Sequence, residues 1–179
     1  ITDAPSQPVA TNKEYCVGTI TYLSTTSGVN VKWYEGGTLV STANPFSTGK
    51  TAVGTYNYTV TQTVNGCESA PTPVTLTIFA STSITSQPAS INRCTNTTAG
   101  FRVGATGPNL AYQWKKGGVN LVNGPNITGA TSDTLTISNL LLTDAGNYTC
   151  EVSSSCGAPL LSNVAVLQVY TTPNPSIAG

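Results

Sequence analysis

Ala111-Tyr112-Gln113-Trp114-Lys115-Lys116-Gly117-Gly118 decides the fold of this chain. Leu110, Tyr112 and Trp114 alternate with Ala111, Gln113 and Lys115, the period of two of a half-buried strand, and Lys115 to Asn120 turns back through the glycine pair. Upstream, Phe101, Val103 and Ala105 alternate with Arg102, Gly104 and Thr106 before a Gly107-Pro108-Asn109 turn. Downstream, Leu135-Thr136-Ile137 reads as a strand with Leu140 as its buried exit. Asp144-Ala145-Gly146-Asn147-Tyr148-Thr149-Cys150 reads as a corner leading into another strand, and Val164, Val166 and Val169 close the sheet. No ten-residue segment has helical spacing.

The same order of signals occurs earlier in the chain. Trp33 lies 81 positions before Trp114 and enters its own pair, Gly36-Gly37. Gly54-Thr55-Tyr56 answers Gly146-Asn147-Tyr148, and Ser6-Gln7-Pro8 answers Ser86-Gln87-Pro88. A period near 80 is too long for a solenoid repeat and suits a small all-β domain. The expected organisation is one domain over residues 1-80, a second over 83-170, and a linker over 171-179. Thr171-Thr172-Pro173-Asn174-Pro175 resembles the Ser83-to-Pro88 approach to the second domain, and Ile1 is not Met, so a further module is expected beside these two.

Composition narrows the function. Only 8% of the 179 residues are charged, against roughly a quarter in ordinary globular domains, and the net charge is zero. Nothing favours nucleic acid or an anionic membrane surface as partner, and no apolar run approaches the ~20 residues of a membrane span. Histidine, the commonest general base and metal ligand, is absent. Thirty-one threonines supply β-branched side chains whose exposed faces are hydroxylic rather than ionic.

Trp114 after its Gly-Pro turn, Leu135-Thr136-Ile137 and Asp144-Ala145-Gly146-Asn147-Tyr148-Thr149-Cys150 resemble an immunoglobulin-superfamily domain of the intermediate type. The first half is a looser match through Trp33-Tyr34-Glu35-Gly36-Gly37 and Tyr56-Asn57-Tyr58. Gly66-Cys67-Glu68-Ser69 resembles a turn of Ig-like repeats in large secreted or surface proteins of Bacteroidetes bacteria, and Cys156-Gly157 fits the same group. The resemblance implies an all-β fold of two tandem immunoglobulin-like β-sandwiches. It also implies core roles for Trp33, Trp114, Tyr148 and Asp144, and it places Tyr58 where the family usually has a cysteine.

In that family the first cysteine precedes the Trp by about 11 to 14 residues. Cys94 precedes Trp114 by 20, and Val103 occupies the family position instead. Both halves carry one cysteine just ahead of the second strand and one in a late turn, so the equivalent pairs are Cys16 with Cys67 and Cys94 with Cys156, leaving Cys150 buried opposite Val103. Ordinary connectivity puts those positions at opposite ends of the sandwich, whereas a disulfide needs Cα atoms within ~7 Å. Pairing of Cys94 with Cys150, and bonds between neighbouring units, therefore stay open.

No catalytic, cofactor or metal site is expected. Asp144 at its corner is a turn acceptor, Glu151 has no catalytic partner, and no Cys-x-x-Cys or Asp-x-Asp cluster occurs. The expected function is that of a non-catalytic spacer or display stalk at the cell surface or outside the cell. Its partners are then the neighbouring domains of the same polypeptide. The alternative is a carbohydrate-binding or adhesin segment that engages polysaccharide or a surface protein.

Overall fold

The computed structural model describes residues 4–171, and the chain divides into two compact units, Ile1–Ala80 and Ser81–Gly179. The stretch expected to be a linker lies, apart from Thr171, outside the described residues. Unit 1 comprises β1 (Val9–Ala10), β2 (Lys13–Cys16), β3 (Tyr22–Leu23), β4 (Thr25–Ser27), β5 (Val31–Glu35), β6 (Thr38–Ser41), β7 (Phe46–Ser47), β8 (Gly54–Val64), β9 (Cys67–Glu68) and β10 (Thr72–Phe79). Unit 2 comprises β11 (Ser83–Ser86), β12 (Ile91–Cys94), β13 (Ala99–Arg102), β14 (Gly104–Thr106), β15 (Ala111–Lys116), β16 (Val119–Asn120), β17 (Ile127–Thr128), β18 (Thr134–Ile137), β19 (Gly146–Ser153), β20 (Leu160–Leu161) and β21 (Ala165–Tyr170). The one helical element among the described residues is a 3₁₀ turn over Leu142–Asp144.

Each unit is a sandwich. The main sheet of unit 1 runs β2-β10-β8-β5-β6 with β9 on β8, and that of unit 2 runs β12-β21-β19-β15-β16 with β20 on β19. Opposite it, unit 2 has the β13-β18-β17 sheet and the β11-β14 pair, while the described residues of unit 1 form the short pairs β1-β4 and β3-β7. The Gly36-Gly37 and Gly117-Gly118 turns take positive φ at both residues, between 56° and 85°, as a tight two-residue hairpin demands. In both units the first strand of the main sheet pairs parallel with the last: Lys13–Cys16 lies beside Leu76–Phe79, and Ile91–Cys94 beside Leu167–Tyr170.

Alternation aims one face of every long strand inward. Leu23, Trp33, Phe46, Tyr58, Val60, Leu76 and Ile78 fill unit 1, and Phe101, Val103, Trp114, Leu135, Tyr148, Cys150 and Leu167 fill unit 2. Aromatic rings organise both cores. Phe46 lies 6.0 Å from both Trp33 and Tyr58, and Phe101 lies 6.1 Å from Trp114 and 5.0 Å from Tyr148.

Two readings of the strands need correction. In β21 the inward residues are Ala165, Leu167 and Val169, whereas Val164 and Val166 face solvent at 54% and 37% exposure. Alanine and leucine, together with Val169, carry the buried phase of this strand. In unit 1, Tyr58 does not stand at the cysteine position. Trp33 faces Val60 across the sheet as Trp114 faces Cys150, so Val60 is the counterpart of Cys150 and Tyr58 that of Tyr148. The neighbouring strand agrees, since Tyr58 faces Val74 and Tyr148 faces Ala165.

The equivalent cysteine pairs do not form. Cys67 is an exposed free thiol, Cys94 a half-buried one and Cys150 a buried one, so neither Cys16 with Cys67, nor Cys94 with Cys156, nor Cys94 with Cys150 is bonded. The reason is the length of the sheet. Cys16 lies beside Phe79, at the Gly54 end of β8, whereas Cys67 faces Val64 at its other end. Ten residues of strand separate those ends, about 33 Å at ~3.3 Å per residue, far beyond the reach of a disulfide. In unit 2, Cys94 lies beside Tyr170, and Cys156 follows the opposite end of β19.

Candidate functional site

The expected site residues are built into the fold rather than into a cleft. Trp33 and Trp114 are fully buried. Trp114 Nε1 donates to the Ser132 carbonyl at 2.9 Å, while Trp33 Nε1 is buried without a partner. Tyr148 Oη donates to the Asp144 carbonyl at 2.7 Å, and burial pushes the pKa of its hydroxyl up to about 12. The Asp144 carboxylate accepts the Leu141 N–H at 2.8 Å, which holds the 3₁₀ turn. In unit 1 this work is divided. Tyr58 supplies the buried ring, and half-exposed Tyr56 makes the corner hydrogen bond, its hydroxyl donating to the Ala52 carbonyl at 3.0 Å.

The remaining carboxylates are mostly tied to cations. Glu35 meets Lys50 at 2.8 Å, Asp133 meets Arg102 at 3.3 Å, and Glu151 meets Lys115 at 2.8 Å. Among the described residues no group of three His, Cys, Asp or Glu side chains could hold a metal ion.

Glu68 anchors the densest polar cluster, on the outer face of β5, β8 and β9. Trp33 points inward, so Lys32 and Tyr34 flank it on the outside. Lys32 Nζ donates to Glu68 Oε2 at 2.7 Å, and Tyr34 Oη and Thr61 Oγ1 donate to Oε1 at 2.8 and 2.7 Å. These donors, Lys32 first, hold the Glu68 carboxyl at a pKa of about 2. Unit 2 carries the simpler Lys115–Glu151 pair on the same face, since Lys115 follows Trp114 as Tyr34 follows Trp33. With all three donors spent on the carboxylate, the cluster fastens three strands together. Sequence reasoning placed Tyr34 outward but missed Lys32, Thr61 and Glu68 as a set. Only the pairing of β8 with β9 brings Glu68 back over Thr61.

A shallow depression of about 360 Å³ lies where β12 and β21 end, lined by Asn92, Arg93, Cys94, Thr97 and Tyr170. Among the described residues no helix is long and apolar enough to cross a membrane.

Comparison with known proteins agrees with this architecture. Residues 83–154 match the immunoglobulin domain family, and residues 5–79 match the family described as Ig-like domain, CHU_C associated. No curated protein matches the chain. Among solved structures, the I-band fragment I67-I69 from titin superposes with a TM-score of 0.62 at 13% identity, over 92% of this chain and 64% of that one. Sidekick-1 immunoglobulin domains 1-4 give 0.59 at 20% identity, covering 90% and 47%. Extracellular domains 3-5 of Drosophila OTK give 0.52 at 18%, covering 92% and 60%. This chain thus spans less than two thirds of the length of each of these three structures, and the likeness is one of fold. Sandwich topology, paired core tryptophans and two family matches in series together make the chain a tandem pair of immunoglobulin-like domains.

Proposed function

We propose that this pair is a non-catalytic extracellular spacer or display stalk within a larger secreted or cell-surface protein. The observation that carries the reading is the parallel pairing of β2 with β10 and of β12 with β21. The chain enters each unit at one pole, where Ser6 O accepts from Gln62 Nε2 and Thr72 Oγ1 donates to Pro8 O, and leaves at the other, beside Phe79. A pull on the ends of such a unit loads the hydrogen bonds between β2 and β10, or between β12 and β21, in shear, so they must break together rather than one at a time. That suits a tension-bearing spacer. Sealed cores and carboxylates tied to cations suit it too, since neither leaves a cleft for chemistry.

The match of residues 5–79 to the CHU_C associated family favours a Bacteroidetes source and an extracellular setting. The carbohydrate-binding or adhesin alternative would use the outer face around Tyr34, whose hydroxyl is already held by Glu68. A glycan array with a cellulose pull-down, run beside a glycosidase assay, tests the reading. Neither retention nor turnover is expected. Saturable binding lost in Tyr34→Ala, or measurable turnover, overturns it.

A further inference from the structure

We propose that Cys67 and Cys94 are covalent coupling points, each forming a disulfide with a cysteine of an adjoining immunoglobulin-like module, so that successive modules of a stalk are stapled in series. The inference rests on the stalk reading given above. Its physical basis is the placement of cysteines at the poles of each unit. One lies where the last strand leaves, with Cys16 beside Phe79 and Cys94 beside Tyr170. The other lies where the chain comes in. Cys156 O accepts the Thr82 N–H at 3.1 Å, and Cys67 sits on the hairpin next to Ser69, whose N–H is bonded to the Gln62 carbonyl at 2.9 Å.

The polar placements repeat down to the local turn. Thr19 Oγ1 donates to the Cys16 carbonyl at 2.7 Å, and Thr97 Oγ1 donates to the Cys94 carbonyl at 2.7 Å. Cys16 and Cys94 are therefore the same position in two modules, whereas Cys67, on β9, and Cys156, in the turn before β20, share only the late hairpin at the entry pole. At each kind of pole one cysteine, Cys16 or Cys156, is disulfide-bonded, while Cys94 and Cys67 are free thiols. Within its own unit neither free thiol has a cysteine in reach, for the sheet length separates the poles. Cys67 is exposed, and Cys94 opens into the depression beside Tyr170, a surface on which a neighbouring module can seat.

The chemistry is thiol–disulfide exchange with a disulfide oxidant, of the glutathione disulfide or protein-disulfide class. The Cys94 thiolate attacks one sulfur of the oxidant and expels the other as a thiolate. The thiolate of the neighbouring module's cysteine then attacks the mixed disulfide at Cys94 and expels the oxidant's second thiolate. One S–S bond forms in the protein, one is lost from the oxidant, and two electrons pass to it. Tethering through a short linker raises the effective concentration of the two thiols to the millimolar range, which favours this pair over pairing between free molecules.

The test is two copies of the full chain fused end to end, incubated with glutathione disulfide and digested with trypsin without reduction. Cys67 and Cys94 fall on separate peptides, 51–93 and 94–102. The expected result is a cross-link between these peptides that is absent from the single chain, with alkylation of both thiols at the junction reduced at least tenfold. Cys94→Ser in the first copy must abolish the cross-link, and in the second copy must leave it. Cys67 is exposed and Cys94 half-buried at the ends of their units, and Cys94→Ala in each copy must give the same pattern as Cys94→Ser. Both thiols alkylated as fast in the fusion as in the single chain would overturn the proposal. Ligand binding or turnover in a fusion that still cross-links would instead overturn only the stalk reading.

Discussion

Tyr148 reaches back four residues to Asp144, its hydroxyl donating to the Asp144 carbonyl at 2.7 Å while its ring stacks on Phe101 at 5.0 Å. One side chain thus closes the corner and fills the core. Tyr148→Phe keeps the ring and removes the hydrogen bond. It should destabilise unit 2 by about 1 kcal/mol and leave unit 1 unchanged, read as a shift of one of two transitions in chemical denaturation. The alkaline limit follows as well. Burial raises the Tyr148 pKa from 10.0 to about 12, so its contribution is complete below pH 10 and is lost as pH rises through about 12, a loss that Tyr148→Phe removes.

The two tryptophans differ in one bond. Either changed to Ala should cost about 3 to 5 kcal/mol and unfold its own unit. Changed to Phe they should part company. Trp114→Phe strands the Ser132 carbonyl, whereas Trp33→Phe removes an N–H that is buried without a partner, so the unit 2 variant should lose about 1 kcal/mol more. Equal losses in equilibrium unfolding would contradict the difference.

Acid should weaken unit 1 through Glu68. Its carboxyl is held at about 2 against an ordinary 4.5, so the folded state favours the ionised form, and this stabilisation is present above pH 4.5 and lost as pH falls toward 2. Glu68→Gln should flatten that part of the unit 1 stability profile, measured by thermal melts from pH 6 to pH 2. A profile as steep as that of the unaltered chain would count against the cluster.

Cys150 should behave as a hydrophobic side chain. Burial raises its thiol to about 11, and its counterpart in unit 1 is Val60. Cys150→Val should therefore cost less than about 1.5 kcal/mol. In the native protein an alkylating reagent should mark Cys67 and leave Cys150 untouched until unfolding, as located by peptide mass spectrometry.

The fold was legible because the signals that specify it are local. A strand ending in two glycines makes a hairpin wherever it occurs, and a Trp in its inward phase needs a core. The slip at Tyr58 has the same origin. Tyr56 and Tyr58 share one face of β8, so a period of two cannot distinguish them, and the Gly54-Thr55-Tyr56 spacing imitates Gly146-Asn147-Tyr148. The register against Trp33 decides, and that depends on how far β8 runs past its partners. Cysteine pairing was illegible for a related reason. Equivalence in sequence shows which cysteines correspond, but the length of the sheet determines that corresponding positions within a unit cannot meet. The Glu68 cluster was hidden because Lys32, Thr61 and Glu68 lie 36 positions apart at their extremes and meet only through the β5-β8 and β8-β9 pairings.

The proposal that these are spacers loaded in shear is tested most directly by pulling a single chain from its ends with all disulfides reduced. Val17 N donates to the Phe79 carbonyl at 2.8 Å and Thr95 N to the Tyr170 carbonyl at 2.8 Å, continuing the two parallel ladders. Two separate force peaks are expected, each releasing about 25 nm, as ~80 residues extending at ~3.5 Å apiece would after the folded length is subtracted. Val17→Pro, which deletes a donor from the unit 1 ladder, should lower one peak and leave the other. Gradual extension without peaks, or two peaks unmoved by Val17→Pro, would contradict the account.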